Sequence, residues 1–135
     1  MDETRLKSLP LFASLSKREL QQVARSCDEV DVPEGKSLMT QGESAYEFFV
    51  IADGTAEVSA DGRHVADLGP GDFLGEMGAM AHAKRSATVV ATSPMVLVVM
   101  TDRDLRHLES EMPTVHQKLS TAVEERTAAL ASAAT

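Results

Sequence analysis

The chain has 135 residues, a formal charge of −8 and 43% hydrophobic residues: enough for one domain, and too apolar for a disordered segment. The acidic balance excludes broad attraction to nucleic acid or anionic lipid, because the long-range field repels phosphates, so an anionic ligand requires a locally built site. The single cysteine, Cys27, excludes an internal disulfide or a cysteine metal cluster, and the chain shows neither a membrane-length apolar run nor a signal-peptide layout at Met-Asp-Glu-Thr-Arg, so a soluble, unexported, cytoplasmic protein without membrane contact is expected.

In chain order, Leu9-Pro10-Leu11-Phe12 is too short and proline-interrupted for a long helix and reads as a turn docking Leu11 and Phe12 into a core. Ser16-Lys17-Arg18-Glu19 is a capping box with Leu15 and Leu20 at the staple positions. Leu20, Val23, Ala24 and Cys27 then continue at helical spacing. Cys27 on that apolar face reads as a core residue, not a nucleophile.

From Val30 to about Thr101 the period becomes alternating, with turn signals at Pro33-Glu34-Gly35, Gln41-Gly42, Asp53-Gly54, Asp61-Gly62, Gly69-Pro70-Gly71 and Ser93-Pro94. The strands expected between them are Leu38–Thr40, Glu47–Ala52, Thr55–Ala60, His64–Leu68, Ala87–Thr92 and Met95–Met100. Many short strands at this spacing imply an antiparallel barrel, sandwich or jelly roll. Helix returns with Thr101 or Asp102 as cap and Leu105, Leu108 and Met112 on one face; Pro113 interrupts it, and a second helix carries Val115, Leu119, Ala122 and Val123 before an alanine-rich tail expected to fray.

The most informative stretch is Asp72 to Val89. It combines a glycine-led helix start at Gly75, a carboxylate at Glu76 and a guanidinium at Arg85, between apolar strands. Helix-start N–H groups and a bidentate arginine suit a phosphate. A glycine without Cβ allows close approach. A ribose 2'-hydroxyl is a donor, so a neighbouring carboxylate suits it. A cyclic nucleoside monophosphate presents phosphate and ribose together, and is the ligand class these residues fit. The bland reading of Glu76 and Arg85 is a solvated ion pair worth about 0 to 1 kcal/mol. His64, His82, His107 and His116 show no metal-ligand spacing, so a metal-binding cupin lacks its ligands and no metal is expected. No nucleophile and base pair lies in the stretch, so an enzyme is not expected.

Gly69-Pro70-Gly71-Asp72-Phe73-Leu74-Gly75-Glu76, followed nine positions after the glutamate by Arg85-Ser86-Ala87-Thr88-Val89, resembles the phosphate-binding cassette of cyclic nucleotide-binding domains, as in catabolite activator-type regulators, regulatory subunits of cAMP-dependent kinase and cyclic nucleotide-gated channels. The likeness spans roughly residues 6 to 130, taking in Leu9–Phe12, the turns at Gly35, Gly42 and Gly54, and the hairpin from Tyr46 to Val58. It implies a mostly β fold with flanking helices: an antiparallel, jelly-roll-like β-roll with an N-terminal helical element, a short internal phosphate-binding helix and two C-terminal helices. One domain, 1–135, is expected, with N-terminal helices over about 3–27, the roll and cassette over about 28–101, and hinge and lid helices over about 102–130.

By the same resemblance the ligand-binding set is Gly75, Glu76, Met77, Arg85, Ser86 and Ala87, with Arg85 on the cyclic phosphate, Glu76 on the ribose and Gly75, Ser86 and Ala87 in close backbone contact. The side chains of Met77 and Met80 themselves read as core contacts of the short helix. Leu119 and Val123 are candidates for a lid over the base, though their stripe equally reads as internal packing or a dimer seam. The expected ligand is cAMP, with cGMP the alternative. Two departures stand out: Lys84 where many relatives have proline, and Ala79 where a larger aliphatic usually couples the cassette to the hinge. Expected partners beyond the nucleotide are a second copy through the C-terminal helix or a separate effector. The competing reading is an interaction or scaffold domain that keeps the roll without binding nucleotide physiologically.

Overall fold

The computed structural model describes residues 2–43, 47–75, 85 and 87–134, apart from the side chains of 123 and 126–134. Among the described residues, helices α1 (Glu3–Lys7) and α2 (Lys17–Ser26) precede eight strands: β1 (Asp28–Val32), β2 (Ser37–Met39), β3 (Glu47–Asp53), β4 (Ala56–Ala60), β5 (Arg63–Leu68), β6 (Phe73–Leu74), β7 (Thr88–Ala91) and β8 (Met95–Thr101). Helices α3 (Asp102–Glu111) and α4 (Pro113–Ala134) follow. The strands form two four-stranded antiparallel sheets, in the orders β1-β8-β3-β6 and β2-β7-β4-β5. Of the antiparallel barrel, sandwich or jelly roll left open by the spacing of short strands and turns, this is the jelly-roll-like β-roll that the family resemblance implies.

The local signals account for the helix ends. Ser16 Oγ accepts from the Glu19 N–H at 3.2 Å and a Glu19 carboxylate oxygen accepts from the Ser16 N–H at 2.9 Å, so both arms of the capping box are made. Thr101 Oγ1 accepts from the Asp104 N–H at 3.1 Å and caps α3. Pro113 then opens α4, a position where its missing N–H leaves no intrahelical bond unmade. Leu11 and Phe12 are each 1% exposed, docked as the turn reading requires. Helix α4 continues to Ala134, where the tail was expected to fray.

Two strands depart from the sequence expectation. Asp28–Val32 pairs along β8, although four of its five residues are exposed and three are acidic; edge position, not burial pattern, makes it a strand. Phe73–Leu74 is a two-residue strand on β3, with Phe49 opposite Leu74 and Val50 opposite Phe73. The short helix expected after Gly75 lies outside the described residues.

Two apolar clusters divide the interior. One lies between the helices and the outer face of the first sheet, and joins Leu6, Phe12, Val23, Leu105, Leu108, Met112 and Leu119 to Phe48, Val50, Val98 and Met100. The other fills the space between the sheets with Phe49, Ile51, Leu74, Val89, Met95 and Leu97. Strands β3 and β8 are therefore covered on both faces, and Phe48-Phe49-Val50-Ile51 is a continuous apolar run for that reason. Cys27 sits in the helical cluster, where burial pushes its thiol up to about 11.

Candidate functional site

The site is assembled where β6 ends, against β3, beside the residue that leads into β7. The Gly69–Asp72 turn is docked first. The Gly69 N–H donates to Asp72 Oδ2 at 2.8 Å, while the Gly71 N–H donates to the Ile51 carbonyl and the Ile51 N–H to the Asp72 carbonyl, each at 2.8 Å. These bonds deliver Phe73 and Leu74 onto β3 and place Gly75 at the strand's end.

Gly75 has φ +91°, a left-handed conformation that an L side chain rarely adopts. A Cβ there would stand 2.8 Å from both Arg85 Nη1 and the Glu47 carbonyl oxygen. Only glycine lets the β6 terminus lie this close to the arginine.

Arg85 is 6% exposed and held from several directions. Its Nη2 donates to the Glu47 carbonyl at 2.6 Å and its Nη1 to the Gly75 carbonyl at 3.2 Å. The guanidinium carbon lies 5.9 Å from the centroid of the Phe49 ring. The backbone is pinned as well: the Arg85 N–H donates to the Glu43 carbonyl at 2.7 Å, and its own carbonyl accepts from the Gly42 N–H at 2.9 Å. Among the described contacts, carbonyl dipoles and a ring face stabilise the buried cation.

The loop carrying Gly42 and Glu43 is itself cross-braced. The Gln41 side chain exchanges hydrogen bonds with Asp61 at the β4–β5 hairpin tip, Nε2 to Oδ1 at 2.9 Å and Asp61 N–H to Oε1 at 2.8 Å, and the Gln41 N–H donates to Thr88 Oγ1 at 3.0 Å on β7. Sequence reasoning did not single out Gln41, Glu43, Glu47 or Phe49. Glu43 and Glu47 contribute main-chain carbonyls, which leave no residue-type signal, and Phe49 reads simply as strand core. The turn signal at Gln41-Gly42 marked the bend but not its partners.

Of the expected ligand set, the structure brings Gly75 and Arg85 together and places Ala87, 5% exposed, at the entry to β7. Glu76, Met77 and Ser86 lie outside the described residues, as do Ala79, Met80, His82 and Lys84. Leu119 is fully buried in the helical cluster, which is the packing alternative of its stripe. The Val123 side chain is outside the described set. Among the described residues no helix is long and apolar enough to cross a membrane.

The sequence pattern of the family described as "Cyclic nucleotide-binding domain" matches residues 29–111, more than half of the chain. The chain belongs to the cyclic nucleotide-binding domain family. It is 38% identical over 87 residues to a cAMP-dependent protein kinase regulatory subunit of Yarrowia lipolytica, covering 64% of this chain and 23% of that protein. It is 32% identical over 120 residues to a cyclic nucleotide-gated potassium channel of Rhizobium etli, covering 88% of this chain and 34% of the channel. The chain thus spans about a quarter to a third of the length of these curated relatives. Among solved structures, the regulatory domain of Toxoplasma gondii PKA, in a co-crystal with cAMP, superposes with a TM-score of 0.80 at 22% identity, covering 91% of this chain and 48% of that one. The cyclic nucleotide-binding domain therefore keeps its β-roll here, with Gly75 and Arg85 at the junction of β6, β3 and β7.

Proposed function

We propose that this domain is a cyclic nucleotide sensor that binds cAMP in preference to cGMP and acts as a regulatory module, not as an enzyme. In this reading the Arg85 guanidinium takes the cyclic phosphate and Glu76 accepts from the ribose 2'-hydroxyl. Gly75, Met77, Ser86 and Ala87 supply close contacts around them. The observation that carries it is the buried Arg85, 6% exposed and aimed along the end of β6 by the Gly75 and Glu47 carbonyls. An arginine brought this far inside, in a family defined by nucleotide binding, has an anion as its natural counterpart.

Helices α3 and α4 would be the responding elements, hinged at Met112-Pro113. Ligand can bias their arrangement only by its differential affinity for the two states. The output would pass to a separate effector or a second copy of the chain through α4. The division into N-terminal helices, roll with cassette, and hinge with lid belongs to the same proposal, as does the cytoplasmic location, where a second messenger would be met.

Titration calorimetry on the wild type and Arg85→Ala tests the reading. The substitution removes a charge-assisted contact and should weaken cAMP by about ten- to a hundredfold, on the order of 1.5 to 3 kcal/mol. No heat and no thermal protection of the wild type with millimolar cAMP or cGMP would replace the sensor by the scaffold reading.

A further inference from the structure

The three described contacts that hold the Arg85 guanidinium belong to one small piece of β ladder. Glu47, whose carbonyl accepts from Nη2, lies two residues before Phe49 on β3. Leu74 is the cross-strand partner of Phe49, and Gly75, whose carbonyl accepts from Nη1, follows Leu74 directly. The Phe49 ring lies under the guanidinium, with its centroid 5.9 Å from the guanidinium carbon. Because side chains alternate along a strand, Phe48 turns to the helices and Phe49 turns inward beneath the arginine.

We propose that Phe49 is a positioning residue for Arg85: its ring face closes a cradle whose other walls are the Glu47 and Gly75 carbonyls, and so presets the guanidinium for an anionic ligand. An arginine side chain has many rotamers, and a ligand that must first order it loses affinity to that cost. A ring face attracts the cation without competing for its N–H groups. A leucine of similar apolar character can fill the core but has no such face. The affinity arm of the test rests on the cyclic nucleotide reading; the spectroscopic arm does not.

In nucleotide-free protein labelled with nitrogen-15, the Arg85 side-chain N–H signal, assigned by its loss in Arg85→Lys, should be displaced by the Phe49 ring current. In Phe49→Leu it should move toward the ordinary arginine position and broaden. By calorimetry, Phe49→Leu should weaken cAMP about three- to tenfold in the wild-type background and leave it unchanged in Arg85→Lys, because coupled residues are not additive. Denaturant unfolding checks that the variant is folded, and Phe49→Met serves if the leucine variant is not. An unmoved Arg85 signal in the folded variant overturns the proposal. So does an equal loss of affinity in both backgrounds, which would make Phe49 core filling alone. A wild type that binds neither cAMP nor cGMP defeats the sensor reading, while the signal still decides whether Phe49 holds Arg85.

Discussion

The two sheets are built from similar strands but occupy different environments. The first, β1-β8-β3-β6, is covered by helices on one face and by the second sheet on the other, so Phe48, Val50 and Val98 are as buried as Ile51 and Leu97. The second, β2-β7-β4-β5, has one face in water: Glu57, Arg63, His64 and Asp67 are exposed, and His64 lies 3.2 Å from Glu57 and 3.6 Å from Asp67 in contacts of little energetic weight. The site draws its rigid wall from the doubly covered sheet, through Glu47, Phe49 and Gly75, and only its entry residues from the other. A side chain that must hold a charge in one orientation is best anchored where the backbone cannot yield.

This contrast sets the scale of the expected effects. Phe48→Ala on the helical face of β3 should cost about 3 to 5 kcal/mol, the range for truncating a buried aromatic, in urea unfolding. Glu57→Ala on the water face of β4 is its control, within about 0.5 kcal/mol of wild type. Equal losses would erase the distinction between the sheets.

Gly75→Ala combines a left-handed φ with a Cβ 2.8 Å from the arginine and the Glu47 carbonyl. It should destabilise by about 1 to 3 kcal/mol and weaken cAMP alongside. Unchanged stability and affinity would mean that β6 can shift without disturbing Arg85. Ser16→Ala, far from the site, should cost about 1 kcal/mol through the lost cap and leave affinity untouched.

The smallest effect concerns Cys27. Its thiol is held protonated to about 11 against an ordinary 9.0. The unfolded chain ionises first as pH rises, so this residue's contribution to stability is intact below about 9 and declines through 11. Thiol labelling of the folded protein should accordingly be slow at pH 8 and fast in denaturant; rapid labelling of native protein would show the helical cluster to be loosely packed.

Much of the fold was legible because its signals are local. The capping box, the Thr101 cap, Pro113 and the turn glycines each act within a few residues, so periodicity and punctuation located α2, α3, α4 and the strands from β2 to β5, β7 and β8. Strand β1 was not legible, since three acidic residues on a sheet edge show no apolar alternation, and β6 is too short to have a period. Within the site, Gly75 and Arg85 were marked by residue type, and their spacing carried the family resemblance.

What the sequence by itself determined is the β-roll class, the helix caps and the pairing of a glycine-led turn with a single arginine in one short stretch. Only the tertiary structure decided that Phe48 faces helices while Phe49 faces Arg85, that Leu119 packs into the helical core, and that the arginine's two described acceptors are main-chain carbonyls. One of those carbonyls, Glu47, lies 38 residues away. The reason is physical: a backbone carbonyl is present at every position, so its selection depends on which strand the sheet brings alongside, and no side chain records that choice.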